Sequence, residues 1–128
     1  MPDFSQRERI EYSIKDIYNT PAEYLWASYP DFAVYRHPVS KKWFCLIMEI
    51  DKSRLIAGES GNVNVMNIKS GPVMTGSLTD GKVIFPAYHM NKANWVSVVL
   101  DDTLTDEEII SLIDLSYDNV SPKIKKKK

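Results

Sequence analysis

The sequence predicts an α+β fold two layers deep, with helices on one face of a mostly antiparallel five-stranded sheet. Three observations carry that expectation. The chain has 128 residues, 44% hydrophobic and 26% charged, enough for one core and one domain. A capping box stands near each end, Ser5-Gln6-Arg7-Glu8 and Thr105-Asp106-Glu107-Glu108, and each opens a stretch of helical periodicity. Between them lie five short apolar segments separated by glycine, proline and polar turns. The expected order is α-β-β-β-α-β-β-α.

After the first box, Ile10, Ile14, Ile17 and Tyr18 recur at helical spacing as one apolar stripe. Asn19-Thr20-Pro21 stops the helix, because proline disfavours helical geometry in the residue before it. Residues 22–31 are aromatic and irregular, with Tyr24, Leu25, Trp26 and Tyr29 ahead of Pro30, and are expected to cover the sheet edge. Phe32 to His37 and Trp43 to Ile50 read as two strands, and Val63 to Ile68 as a third after Gly58 and Gly61. The segment 70–81 holds Gly71, Gly76, Gly81 and Pro72, so a helix there should be short. Val83 to Tyr88 and Trp95 to Leu100 complete the sheet. The last helix should bury Ile109, Ile110, Ile113 and Tyr117 and end before Pro122. Residues 1–120 are thus expected to form a single domain, and 121–128 a disordered lysine-rich tail.

Strand alternation places Trp43, Cys45 and Ile47 on one face and Phe44, Leu46 and Met48 on the other. Both faces of this strand are apolar, as are both faces of the fifth. Helices cover one face, so either the aromatic segment 22–31 covers the second or a partner does, and the aromatic segment is the favoured cover. Trp95 is expected to pin the sheet to that segment around Trp26 and Tyr29.

Charge and motif content narrow the function. The 16 Lys+Arg and 17 Asp+Glu nearly cancel, yet five lysines sit in the last six residues. The rest of the chain carries 11 basic against 17 acidic groups, a net of −6, which is no general electrostatic trap for nucleic acid. The one cysteine, Cys45, excludes an internal disulfide and is expected to be a buried, inert thiol. No apolar run is long enough to span a bilayer, and Met1-Pro2-Asp3-Phe4 does not open a signal peptide, so a cytoplasmic monomer is expected. No nucleophile elbow, phosphate-binding glycine loop or zinc-ligand spacing is present, and His37, His89 and Cys45 have no recognised ligand spacing. The expectation is a non-enzymatic protein with no cofactor and no metal.

One stretch is dense enough to identify. Pro86-Ala87-Tyr88-His89-Met90-Asn91-Lys92, then Trp95, Val98, Leu100 and Asp101, resembles the signature of the MmcQ/YjbR family of small bacterial proteins. The resemblance extends through Leu104, Ile109, Leu112 and Ser116-Tyr117. Upstream it takes in Tyr24-Leu25-Trp26, Tyr29-Pro30-Asp31, Arg36-His37, Lys42-Trp43-Phe44 and Asn67-x-Lys69. It departs at Asn94, where many members carry histidine, and at Asp102, where glycine is usual. The resemblance implies a secretion-chaperone-like α+β fold and carries the label of predicted DNA binding, with no cofactor or reaction attached.

Two readings of the motif follow. In one, His89 and Asn91 cap the turn between the last two strands and nothing more. In the other, Arg36, Lys42, Asn67, Lys69, His89, Asn91 and Lys92 form a basic, hydrogen-bonding patch that contacts DNA or a small anionic ligand. A protein-interaction module, adaptor or chaperone-like, is the remaining alternative.

Overall fold

The structure is a computed structural model that describes residues 4–122. Three α-helices and five strands follow in the expected order: α1 (Gln6–Tyr18), β1 (Ala33–Arg36), β2 (Trp43–Asp51), β3 (Asn62–Lys69), α2 (Pro72–Leu78), β4 (Ile84–Pro86), β5 (Trp95–Val99) and α3 (Asp106–Val120). Both capping boxes form, with Ser5 and Thr105 each accepting from the backbone three residues on while Glu8 and Glu108 reach back. The sheet order is β1-β2-β3-β5-β4, and every neighbouring pair is antiparallel. The connection through α2 therefore carries the chain past β5 to the far edge, and β5 returns into the gap.

α1 and α3 pack side by side over one face, with Ile10, Ile14, Ile109 and Ile113 fully buried. Gln6 fastens the two helices. Its amide nitrogen donates to the Leu104 carbonyl at 2.8 Å and to Asp106, and its oxygen accepts from the Asp102 backbone at 2.9 Å. Burial raises Tyr18 well above the ordinary phenol range, reinforced by its hydrogen bond to Asp114 on α3. Ile17, expected in the stripe, is instead 51% exposed.

The alternation expected for β2 fails at its first two residues. The register of β1 against β2 shifts between Tyr35 and Arg36, so Tyr35 faces Cys45 while Arg36 faces Trp43. This bulge takes Phe44 to the helix side, 5.0 Å from the Tyr117 ring and 5.5 Å from Tyr18. Trp43 turns to the second face, beside Leu46 and Met48. At the end of α3 the Ser121 backbone N–H donates to the Asp118 carbonyl at 3.2 Å. The expectation for the lysines from Lys123 onward lies outside the described residues. No helix among the described residues is long and apolar enough to cross a membrane.

Candidate functional site

The second face of the sheet is covered by two irregular segments. Glu23 first pairs with Val34 through two backbone bonds at 2.8 and 2.9 Å, extending the β1 edge. The chain then turns so that Trp26 meets Phe32 and Trp43 edge-on, at interplanar angles of 75° and 87°. Tyr29 stacks on Phe32 at 4.8 Å. The aromatic segment is thus the cover expected from its composition, but its tryptophan partner is Trp43. Trp95, expected in that role, is buried at the start of β5 outside these ring pairs.

The second covering segment is the motif turn between β4 and β5. Asn67 and Ser97 face each other across β3 and β5, and both are fully buried. Ser97 Oγ donates to Asn67 Oδ1 and accepts from the Tyr88 backbone N–H at 2.9 Å, while Asn67 Nδ2 donates to the Tyr88 carbonyl at 2.8 Å. This closed ring of bonds lays residue 88 onto the sheet. Every polar atom in it is satisfied, as burial requires. At the end of the turn the Asn94 carbonyl accepts from the Gly71 backbone at 3.0 Å and from Ser70 Oγ, and the Ala93 carbonyl accepts from Thr75. The N-terminus of α2 thereby holds the other side of the turn.

Between the two covers lies a cavity of about 280 Å³, lined by Trp26, Tyr29, Phe32, Trp43, Leu46, Met48, His89 and Met90. Its floor is the buried Met48 and Leu46, and its walls are rings and a thioether. A larger hollow of about 440 Å³ lies on the outer surface of α1, walled by Phe4, Glu8, Arg9, Tyr12 and Ser13. All of its walls come from one helical segment and it contains no motif residue, so the second-face cavity is the stronger candidate site.

The seven residues singled out from the sequence do not share one surface. Asn67 is a buried structural member of the clamp on Tyr88. His89 is exposed, adopts a left-handed φ of 63°, lies with its ring 4.0 Å from Tyr88 and lines the cavity. Its ring makes no hydrogen bond among the described residues, so it does not cap the turn. Asn91 does cap it: its side-chain oxygen accepts from the Ala93 backbone at 2.8 Å and its carbonyl from Trp95 at 3.0 Å. Lys92 is exposed beside it.

Arg36 stands at the opposite edge of the sheet, with Nε donating to both carboxylate oxygens of Glu23 at 3.0 and 3.1 Å and its guanidinium 5.8 Å from the Trp43 ring centre. Lys42 is an exposed turn residue whose carbonyl accepts from His37. The Lys69 backbone is fixed to α3 by Ser116 and Asn119. His37 is buried, its Nδ1 accepting from the Val39 and Ser40 backbone at 3.0 and 3.2 Å. No group of His, Cys, Asp and Glu able to hold a metal occurs among the described residues. Burial pushes the Cys45 thiol far up, and the nearby Glu11 charge adds to the effect.

Ser97 and Met90 escaped sequence reasoning. A lone serine within the apolar run Trp95-Val96-Ser97-Val98-Val99 was the available signal, because a buried hydroxyl needs a partner. Met90 gave none, since its place on the wall follows from the path of the turn.

Comparison with known proteins agrees with this architecture. A family model described as YjbR matches residues 16–119. The chain is 38% identical over 111 residues to the uncharacterized protein YyaQ of Bacillus subtilis, covering 87% of this chain and 94% of that one. It is 34% identical over 73 residues to the uncharacterized protein YjbR of Escherichia coli, covering 54% and 62%. A crystal structure of a Pseudomonas syringae protein superposes with a TM-score of 0.85 at 35% identity, over 90% of this chain and 98% of that chain. A Deinococcus radiodurans protein, with a TM-score of 0.66 at 20% identity over 91% and 78% of the two chains, shares the fold.

Proposed function

We infer function from one premise, that the chain belongs to the YjbR family, and propose that it is a small non-enzymatic binding domain. Its contact site is the aromatic cavity on the second face of the sheet. The observation that carries this reading is the cavity itself, in which two separate covering segments bring Trp26, Trp43, Tyr29 and Met90 to one hollow with the motif residue His89 on its wall. An apolar hollow with a few polar groups at its margin is the ordinary form of a small-ligand site. The non-enzymatic part is supported by the lining. No serine, threonine, cysteine, aspartate, glutamate or lysine side chain stands beside His89 in the lining. A cytoplasmic setting belongs to the same reading and is supported by the single unpaired Cys45.

The experiment is a titration with neutral ring fragments, followed through the indole N–H signals of Trp26 and Trp43 by NMR. Movement of both signals supports the reading. Movement confined to residues on the outer surface of α1, or none at all, overturns it.

The DNA-binding reading inherited from the family label draws on Lys92, Lys42 and the lysine tail. It has less support, because Arg36 is paired with Glu23 and the remaining candidates are spread over the sheet. Anisotropy of a labelled duplex decides it. Tight binding that weakens steeply with salt and leaves the Trp26 and Trp43 signals unmoved would replace the cavity reading with the DNA one.

A further inference from the structure

We propose that the ligand of this cavity is a small aromatic carboxylate, its ring against the corner formed by Trp26 and Trp43 and its carboxylate on the backbone of the turn that follows β4. The proposal rests on the cavity reading above and adds the chemistry of the ligand.

The ring half follows from size and walls. A hollow of about 280 Å³ lies at the small end of ligand sites and suits one single or fused ring. Trp26 and Trp43 meet edge to face, with centroids 5.7 Å apart at 87°, so together they form an aromatic corner against which a ring in the cavity can pack. The half-buried Met90 thioether on the wall suits an aromatic guest in the same way.

The carboxylate half follows from the turn. The backbone N–H groups of His89, Met90, Asn91 and Lys92, four in succession, have no acceptor among the described residues. His89 stands at a φ of 63°, and a left-handed residue within such a run is what turns successive N–H groups toward one point, the arrangement that cradles anions. The His89 ring, which makes no hydrogen bond among the described residues, and the exposed Lys92 ammonium add donors, and no carboxylate lines the cavity.

The clamp beneath the turn supports the same conclusion. A left-handed histidine is strained and persists only where its surroundings over-determine it. Asn67 and Ser97 do so by holding both the N–H and the carbonyl of Tyr88 immediately before it. They are positioning residues, one layer below any ligand contact.

The test uses the full chain with two probes, indole-3-acetate and 3-methylindole, which share a ring and differ in the carboxylate. The readout is the shift of the Trp26 and Trp43 indole N–H signals, repeated with His89→Gly and Lys92→Ala. Glycine tolerates the left-handed backbone, so the first variant keeps the turn. The acid should bind about tenfold more tightly than the neutral ring. That preference should shrink in both variants, while 3-methylindole binding stays unchanged in Lys92→Ala, whose side chain does not line the cavity. Equal binding of the two probes overturns the carboxylate proposal and leaves the cavity reading standing. A preference that survives both variants overturns the assignment to this turn. Failure of both probes to bind overturns the proposal and the cavity reading together.

Discussion

Replacing Asn67 with alanine tests whether the motif turn is held by the buried clamp or simply by its own local geometry. The substitution removes the donor to the Tyr88 carbonyl and the acceptor for the Ser97 hydroxyl, in a site with no exposure to water. An orphaned buried polar group costs about 1–3 kcal/mol, so two of them cost about 2–6 kcal/mol. That is a large part of the about 5–15 kcal/mol available to a small domain. With a urea dependence of about 1–3 kcal/mol per molar, the unfolding midpoint should fall by about 2 M. Ser97→Ala should also destabilise, because it deprives the Tyr88 N–H of its acceptor. The double variant should cost less than the sum of the two, by about 1–3 kcal/mol, since each residue is the other's partner. Urea curves for wild type, both single variants and the double variant close this cycle. Additive costs, or a loss below about 1 kcal/mol for Asn67→Ala, would refute the clamp.

Trp95→Ala should destabilise by about 3–5 kcal/mol because the ring is buried, whereas Lys92→Ala should stay within about 0.5 kcal/mol; denaturant midpoints compare them, and a stable Trp95→Ala would mark the ring as an exposed contact. The Asp80 carboxylate accepts from the backbone of Ile84, Lys82 and Val83, and Asp106 from the side chains of Arg9 and Gln6, so both titrate below the ordinary 3.8. Their stabilising effect is therefore complete above pH 3.8 and is lost as pH falls through the depressed folded values. The Tm of Asp80→Ala should lie below wild type at neutral pH and converge with it in acid, and a gap that widens in acid would contradict this. Cys45 should resist a thiol reagent in the native protein and react at a rate set by unfolding, which a urea series of labelling rates would show.

The helices and most of the strands were legible because their signals are local. A capping box is read over four residues, and Ser5 and Thr105 bond where their spacing said they would. The short α2 followed from the glycines of 70–81. The aromatic cover over the second face followed from composition, since that face had to be shielded from water and one segment carried the rings. The face assignment of Trp43 and Phe44 failed because a β-bulge depends on how two strands meet, and strict alternation contains no information about it.

The candidate site divides along the same line. His89 was singled out from its motif and stands on the cavity wall, and Asn91 caps the turn as local chemistry allows. The seven-residue patch did not assemble, because the sheet order β1-β2-β3-β5-β4 puts Arg36 at one edge and the motif turn toward the other. By itself, then, the sequence determined the fold class and the extent of the elements, products of short-range pattern and overall hydrophobic content, and the family through the resemblance of its motif. Only the tertiary structure decided that Trp43 rather than Trp95 meets Trp26, that Asn67 is a clamp rather than a contact, and that two distant segments enclose one hollow. These are contacts between residues far apart in the chain, fixed by strand order and by the need to satisfy buried polar groups, and neither is written in local spacing.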